Sequence, residues 1–142
     1  MKTYVAAYLF TLVAFLVIDF IWLGTMASRL YRPAIGDLLA ENFRLAPAVV
    51  FYLIYAAGLT FLAVRPAFQT GEWTTALLYG AVVGFMAYAT YDLTNQATLK
   101  SWSTTLTVAD LLWGTFVSAA AATIGYFLTV RLVGPLENPT GL

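Results

Sequence analysis

Four apolar runs, each about the length that crosses a bilayer's hydrocarbon layer (roughly 20 residues as helix), are separated by three polar breaks. The pattern predicts helices over about 4–28, 47–64, 74–97 and 105–130. The first run carries a single Lys2 ahead of it and is too long for a signal-peptide core. Asp19 also interrupts it, so a retained first span is expected. Helical direction alternates, so the first and third spans run from one side, here called A, to the other, B. The second and fourth return. Between the first two spans, Pro33 starts a segment in which Ile35, Leu38, Leu39 and Phe43 fall on one side while Asp37, Glu41 and Arg44 do not. This spacing predicts a short amphipathic helix lying in the interface. Arg65 and Pro66 are read as the end of the second span. Arg131, Gly134 and Pro135 are read as the end of the fourth.

The expectation is therefore an all-α, integral membrane bundle of four transmembrane helices with one short interfacial helix. It forms a single transmembrane domain over 1–135, followed by a flexible tail over 136–142. Composition agrees. The 142 residues are 61% hydrophobic and 10% charged, against about 45–50% and about 25% in soluble domains. Net charge is zero, so no basic field invites nucleic acid or anionic lipid. The chain has neither Cys nor His. That removes disulfides, thiol nucleophiles and the usual zinc and haem ligand sets, and no cofactor or metal is expected. Flanking cations number three on A (Lys2, Arg65, Arg131) and four on B (Arg29, Arg32, Arg44, Lys100). That slight bias places B in the cytoplasm.

The third span turns polar before it ends. Gly80 and Gly84 form a pair of small residues that lets a neighbouring helix approach closely. Tyr88, Tyr91, Asp92 and Asn95 continue along roughly the same face at spacings of three and four. The first span carries Asp19 and Trp22, and the fourth carries Asp110 and Trp113, each pair three residues apart. Alternating direction puts Asp19, Asp92 and Asp110 about 6–14 Å below the B face at 1.5 Å per residue. Acids at membrane depth cost roughly 2.5–3.5 kcal/mol each or more and mark functional sites by default. At least one should hold a proton at neutral pH, or a cation should sit among them. Lys100 is the nearest candidate in sequence, with Arg29 and Arg32 beyond. Tyr88, Tyr91, Asn95, Gln96, Thr94 and Thr107 can supply hydrogen bonds. The structural alternative is that Asp19 and Asp110 each satisfy the indole N–H of a tryptophan. The expected site is a B-side pocket of Asp19, Trp22, Tyr88, Tyr91, Asp92, Asn95, Asp110 and Trp113 that binds a ligand or couples to protons.

Several segments, DFIWLG (19–24), YRPAIG (31–36), FYLIYAAG (51–58), YATYDLTNQATLK (88–100) and DLLWG (110–114), together resemble the bacterial domain-of-unknown-function family 2177. That resemblance implies a small multi-pass protein of the bacterial inner (plasma) membrane with no established activity, and it carries over no catalytic residue. From the residues themselves, the leading expectation is a protein that binds or handles a small amphipathic or lipid ligand. The alternatives are an accessory subunit completed by a membrane partner, and a proton- or cation-coupled transporter working as a homodimer. No nucleophile motif or phosphate loop favours an enzyme.

Overall fold

A computed structural model describes residues 1–134, which are helical nearly throughout, with no strand among the described residues. The tail expected over 136–142 lies outside them. Four helices are long and apolar enough to cross a membrane: α1 Lys2–Leu38, α2 Leu45–Thr70, α3 Trp73–Thr98 and α4 Thr104–Leu132. α3 and α4 lie within two residues of the bounds read from the apolar runs. α1 and α2 are longer, and both for one reason. Each contains a π turn, at Ala27–Tyr31 and at Thr60–Val64, followed at once by Arg-Pro-Ala. A proline inside a helix lacks its N–H, and its ring collides with the carbonyl four residues back. Widening the preceding turn by one residue makes room. The N–H of Arg32 accordingly reaches back five residues to Ala27 O, and that of Arg65 to Thr60 O. Pro66 therefore does not end α2, contrary to the sequence reading. The helix runs on to Thr70 and stops at Gly71, whose φ of 73° only glycine adopts without strain.

The same device alters the segment after the first span. Helix is present there, but it is the continuation of α1 through Arg32–Ile35 and a tight turn at Gly36–Leu38, not a separate element. Leu39 is extended, and Leu39 and Phe43 are exposed outside any helix. The predicted stripe therefore ends at Leu38. At 37 residues, or about 55 Å at 1.5 Å per residue, α1 projects beyond the hydrocarbon layer.

α4 is the centre of the bundle, buried along its length from Leu106 to Thr129. Its start is capped by Ser103, whose hydroxyl accepts from Leu106 N at 3.2 Å. α3 packs on it through the expected small-residue seam. A Cβ at Gly80 would lie 2.8 Å from Ser118 O, and one at Gly84 would overlap Gly114 O and the Ser118 side chain. On another face Gly125 admits Thr11 of α1, with no room for a Cβ. Towards side A the core is built of small residues, Ala7, Ala63, Ala67, Ala76 and Ala122, with Val64 and Tyr126. At mid-depth it becomes Phe15, Leu59, Val117 and Ala121. The opposite face of α1, with Val5, Leu9, Val13, Val17 and Phe20, is exposed, as a lipid-facing surface is.

Helices in lipid gain no hydrophobic energy by associating, so this seam depends on close contact. Gly84→Leu should therefore cost more than the roughly 1–3 kcal/mol of ordinary overpacking, because the obstacle is backbone. Thermal unfolding in detergent should show a large loss of stability. A variant as stable as the parent would place this face outside the bundle.

Candidate functional site

Asp19 and Trp22 on α1, and Asp110 and Trp113 on α4, are the same D-x-x-W pattern on antiparallel helices. The two patterns cross. The Trp113 indole N–H donates to Asp19 Oδ1 at 3.1 Å, and the Trp22 N–H donates to the Tyr31 hydroxyl at 3.0 Å. Tyr31 in turn donates to Asp110 Oδ1 at 2.6 Å. Each tryptophan thus serves the aspartate of the other helix. The indoles lie face to face between them, centroids 4.2 Å apart and planes 8° from parallel. Asp19 thus does accept from an indole N–H, as the structural alternative has it, whereas Asp110 accepts from Tyr31 and meets Trp22 only through that hydroxyl.

Tyr31 enters the network because of the π turn. In a regular helix, residues 22 and 31 would point about 180° apart, at 100° per residue. One extra residue in the turn takes back about 100°, so Tyr31 turns towards the face of Trp22. Periodicity carried through this point places Tyr31 at the interface, and that is why its role escapes a sequence reading. Tyr52 of α2 also goes unpredicted. Its hydroxyl donates to Asp19 Oδ2 at 2.6 Å, so both oxygens of Asp19 are taken. Tyr55, three residues on, bonds Ser118 at 2.7 Å and stacks on Phe51. The spacing of Tyr52 and Tyr55 is visible in the sequence, but nothing there says which acid or hydroxyl they meet.

Asp92 differs from the other two acids. It is fully buried, and no N–H or O–H donor among the described residues reaches either of its oxygens. The acid that acts on it is Asp110 of α4. No Lys or Arg stands among the groups acting on either acid, so the expected role for Lys100, Arg29 or Arg32 is not met. A carboxyl buried without a donor is held as the neutral acid, because an uncompensated charge at that depth costs far more than taking up a proton. The three acids do not form one tight cluster. No group of three acids spaced to hold a metal ion is found among the described residues. Asp19 lies near enough to act on Asp110, and its indole donor Trp113 stacks on Trp22, which bonds Tyr31.

Tyr88 lies directly over Gly114, where a Cβ would strike its ring. With Phe51, Ala87, Tyr91 and Asp110 it lines a cavity of about 260 Å³. Tyr91 is at the rim, more than half exposed, with its ring edge-on to Trp102. Asn95 is not drawn in: no hydrogen bond of its side chain is found among the described residues. Thr94 bonds back to the Thr90 carbonyl of its own helix. Gln96 and Thr107 bond each other at 2.9 Å, and Gln96 also donates to Thr104. Trp102 donates to Thr107 at 3.0 Å. These four residues close the B end of α3 and α4 beyond the acids.

An unpaired carboxylate oxygen is costly in a bilayer, and hydrogen bonds there are worth on average about 0.6 and at most about 1.7 kcal/mol. Tyr52→Phe should destabilise by about 1 kcal/mol, and much of that loss should vanish when Asp19 is already Asn. A double-mutant cycle on unfolding free energies measures this coupling; additive losses would show that the bond contributes nothing.

No curated protein and no solved structure matches the chain. One family model does, covering residues 4–127, and its description is a predicted membrane protein, DUF2177. That span reaches all four helices and includes every residue of the acid and aromatic network, so the chain belongs to the DUF2177 family of membrane proteins.

Proposed function

We propose that the protein binds or handles a small amphipathic or lipid molecule, using the cavity beside Asp110 and Asp92 as the recognition site, in the bacterial inner membrane. One observation carries this reading: a cavity walled by Phe51, Ala87, Tyr88 and Tyr91 has an acid, Asp110, in its lining. Asp19 is satisfied on both oxygens and is read as structural. Asp92 retains unmet capacity for hydrogen bonding, which a bilayer makes expensive to keep without a use. Small-molecule sites combine apolar walls with a few convergent polar groups, as this cavity does.

A second reading, a proton- or cation-coupled transporter acting as a homodimer, is favoured by Asp92 alone, since a buried acid without a partner is one that can take up and release a proton. The bilayer itself is the partner common to both readings.

The test is mass spectrometry of protein extracted from bacterial membranes. The parent should carry a co-purifying amphiphile. Ala87→Trp, which fills the cavity from α3, should lose it. Asp92→Asn should keep the fold, because an amide matches the acid in shape, and should retain less of the molecule. A parent without any bound amphiphile, together with an Asp92→Asn variant that abolishes a proton flux in liposomes, would overturn the binding reading for the transporter.

A further inference from the structure

The geometry points to a separate lipid site on side A, where Arg65 holds the phosphate of an anionic glycerophospholipid and the groove between α1 and α2 takes one of its chains. This site is distinct from the B-side cavity and does not depend on what that cavity binds.

The groove has a volume of about 440 Å³ and is lined by Tyr4 and Tyr8 of α1 with Ala57, Thr60, Phe61 and Arg65 of α2. α1 starts on side A and α2 ends there, so Tyr4 and Arg65 stand at the mouth while Tyr8 and Ala57 lie further in. From Ala57 to Arg65 the groove follows α2 for about 12 Å at 1.5 Å per residue. The hydroxyls of its inner part are already used. Tyr8 donates to Leu53 O at 3.3 Å, and Thr60 donates to Ala56 O at 2.7 Å. At the mouth the opposite holds. Neither the Arg65 guanidinium nor the Tyr4 hydroxyl makes a hydrogen bond or salt bridge among the described residues. Unclaimed donors thus stand only at the opening of an otherwise apolar trough. A phospholipid in its leaflet has the same profile, chain inward and phosphate outward.

The position of the cation is the second observation. Arg65 Cζ lies 5.0 Å from the centroid of the Phe61 ring. A guanidinium lying over a ring keeps its N–H edge free, and that edge matches a pair of phosphate oxygens. The π turn puts it there. In a regular helix Arg65 would sit about 80° round from Ala57, at 100° per residue. The extra residue in the turn at Thr60–Val64 takes back about 100° and leaves the two within about 20°. Arg65 also precedes the A-side end of α2, Thr70, by five residues, or about 8 Å. Its side chain is exposed, so it can reach outward to the phosphate level while its stem stays in the groove. No acid lines the groove. A zwitterionic head would therefore bring a second cation to a place with nothing to receive it, whereas an anionic head is neutralised by Arg65. The selectivity comes from one placed cation and needs no basic field.

The experiment is native mass spectrometry of the full chain, delipidated in detergent and titrated with dimyristoylphosphatidylglycerol, dimyristoylphosphatidylcholine and tetradecanoic acid. The parent should bind the phosphatidylglycerol at least about tenfold more tightly than either of the others. Arg65→Gln should bring it down to the level of the phosphatidylcholine, and Arg65→Lys, which keeps the charge but not the fork, should restore only part of the preference. Tyr4→Phe should weaken it about threefold. Ala57→Trp, which fills the inner part, should weaken both phospholipids alike, and Ala87→Trp in the B-side cavity should change neither. Equal binding of the two phospholipids by the parent, or a preference that survives Arg65→Gln, would overturn the site. Tetradecanoic acid bound as tightly as phosphatidylglycerol would overturn the phospholipid assignment in favour of a free fatty acid. Loss of the preference in Ala87→Trp would move the lipid to the other cavity. A disulfide-linked dimer through Phe61→Cys that phosphatidylglycerol does not suppress would give the groove to a second copy and overturn its use for a lipid.

Discussion

A polar side chain inside a bilayer has no water to fall back on, so each one must find a partner in the protein or cost several kcal/mol. The B-side half of this bundle is organised by that requirement. Asp19 is held by Tyr52 from α2 and Trp113 from α4, and Asp110 is held by Tyr31 at the far end of α1. The bonds run between helices, so satisfying each acid also fixes how α1, α2 and α4 meet. The stacked indoles let the two D-x-x-W patterns pass each other, and the exchange works only because the helices are antiparallel. α3 joins by another route, its Gly80–Gly84 seam, which allows backbone contact with α4 and brings Tyr88 and Asp92 up to Gly114 and Asp110.

The two π turns serve the same requirement. They keep α1 and α2 helical through Arg-Pro-Ala, where a regular helix would break. A break at either place would expose backbone groups near membrane depth. In α1 the turn also changes the phase of the residues beyond it, and so delivers the Tyr31 hydroxyl to Asp110. One local distortion thus both extends the helix and completes the site.

Much of the architecture is legible because the bilayer imposes long apolar runs and polar breaks. The helix count, α3 and α4 almost to their ends, and the interior position of Gly80, Gly84 and Ser118 come from that pattern. Asp19, Asp92, Asp110, Trp22, Trp113 and Tyr88 stand out as acids and aromatic neighbours at one depth against an apolar background; the structure bonds Trp113 to Asp19, stacks it on Trp22 and lays Tyr88 over Gly114, while the three acids stay apart as a group. What is not legible depends on phase and on contact between helices. Periodicity assumes an unbroken 3.6-residue repeat, and the π turns break it. Pro66 therefore reads as a terminus, the stripe reaching Phe43 reads as a helix, and Tyr31 falls at the interface. Tyr52 needs a three-dimensional partner to acquire a role. Asn95 keeps the right spacing but makes no side-chain hydrogen bond among the described residues, since one more turn carries it past the level of the acids. The residues that escape the sequence reading, Tyr31, Phe51, Tyr52 and Tyr55, all fall within the segments YRPAIG and FYLIYAAG, which carry the family resemblance.

The central claim is that Asp92, fully buried and without a donor for either oxygen, is held as the neutral acid. Infrared spectroscopy of the lipid-reconstituted protein at neutral pH tests this most directly, because a protonated carboxyl has a C=O stretch distinct from the carboxylate bands. A neutral Asp92 predicts such a band in the parent, insensitive to Asp19→Asn and lost in Asp92→Asn. A parent spectrum with no protonated-carboxyl band, or a band that survives Asp92→Asn and disappears with Asp19→Asn, would contradict it.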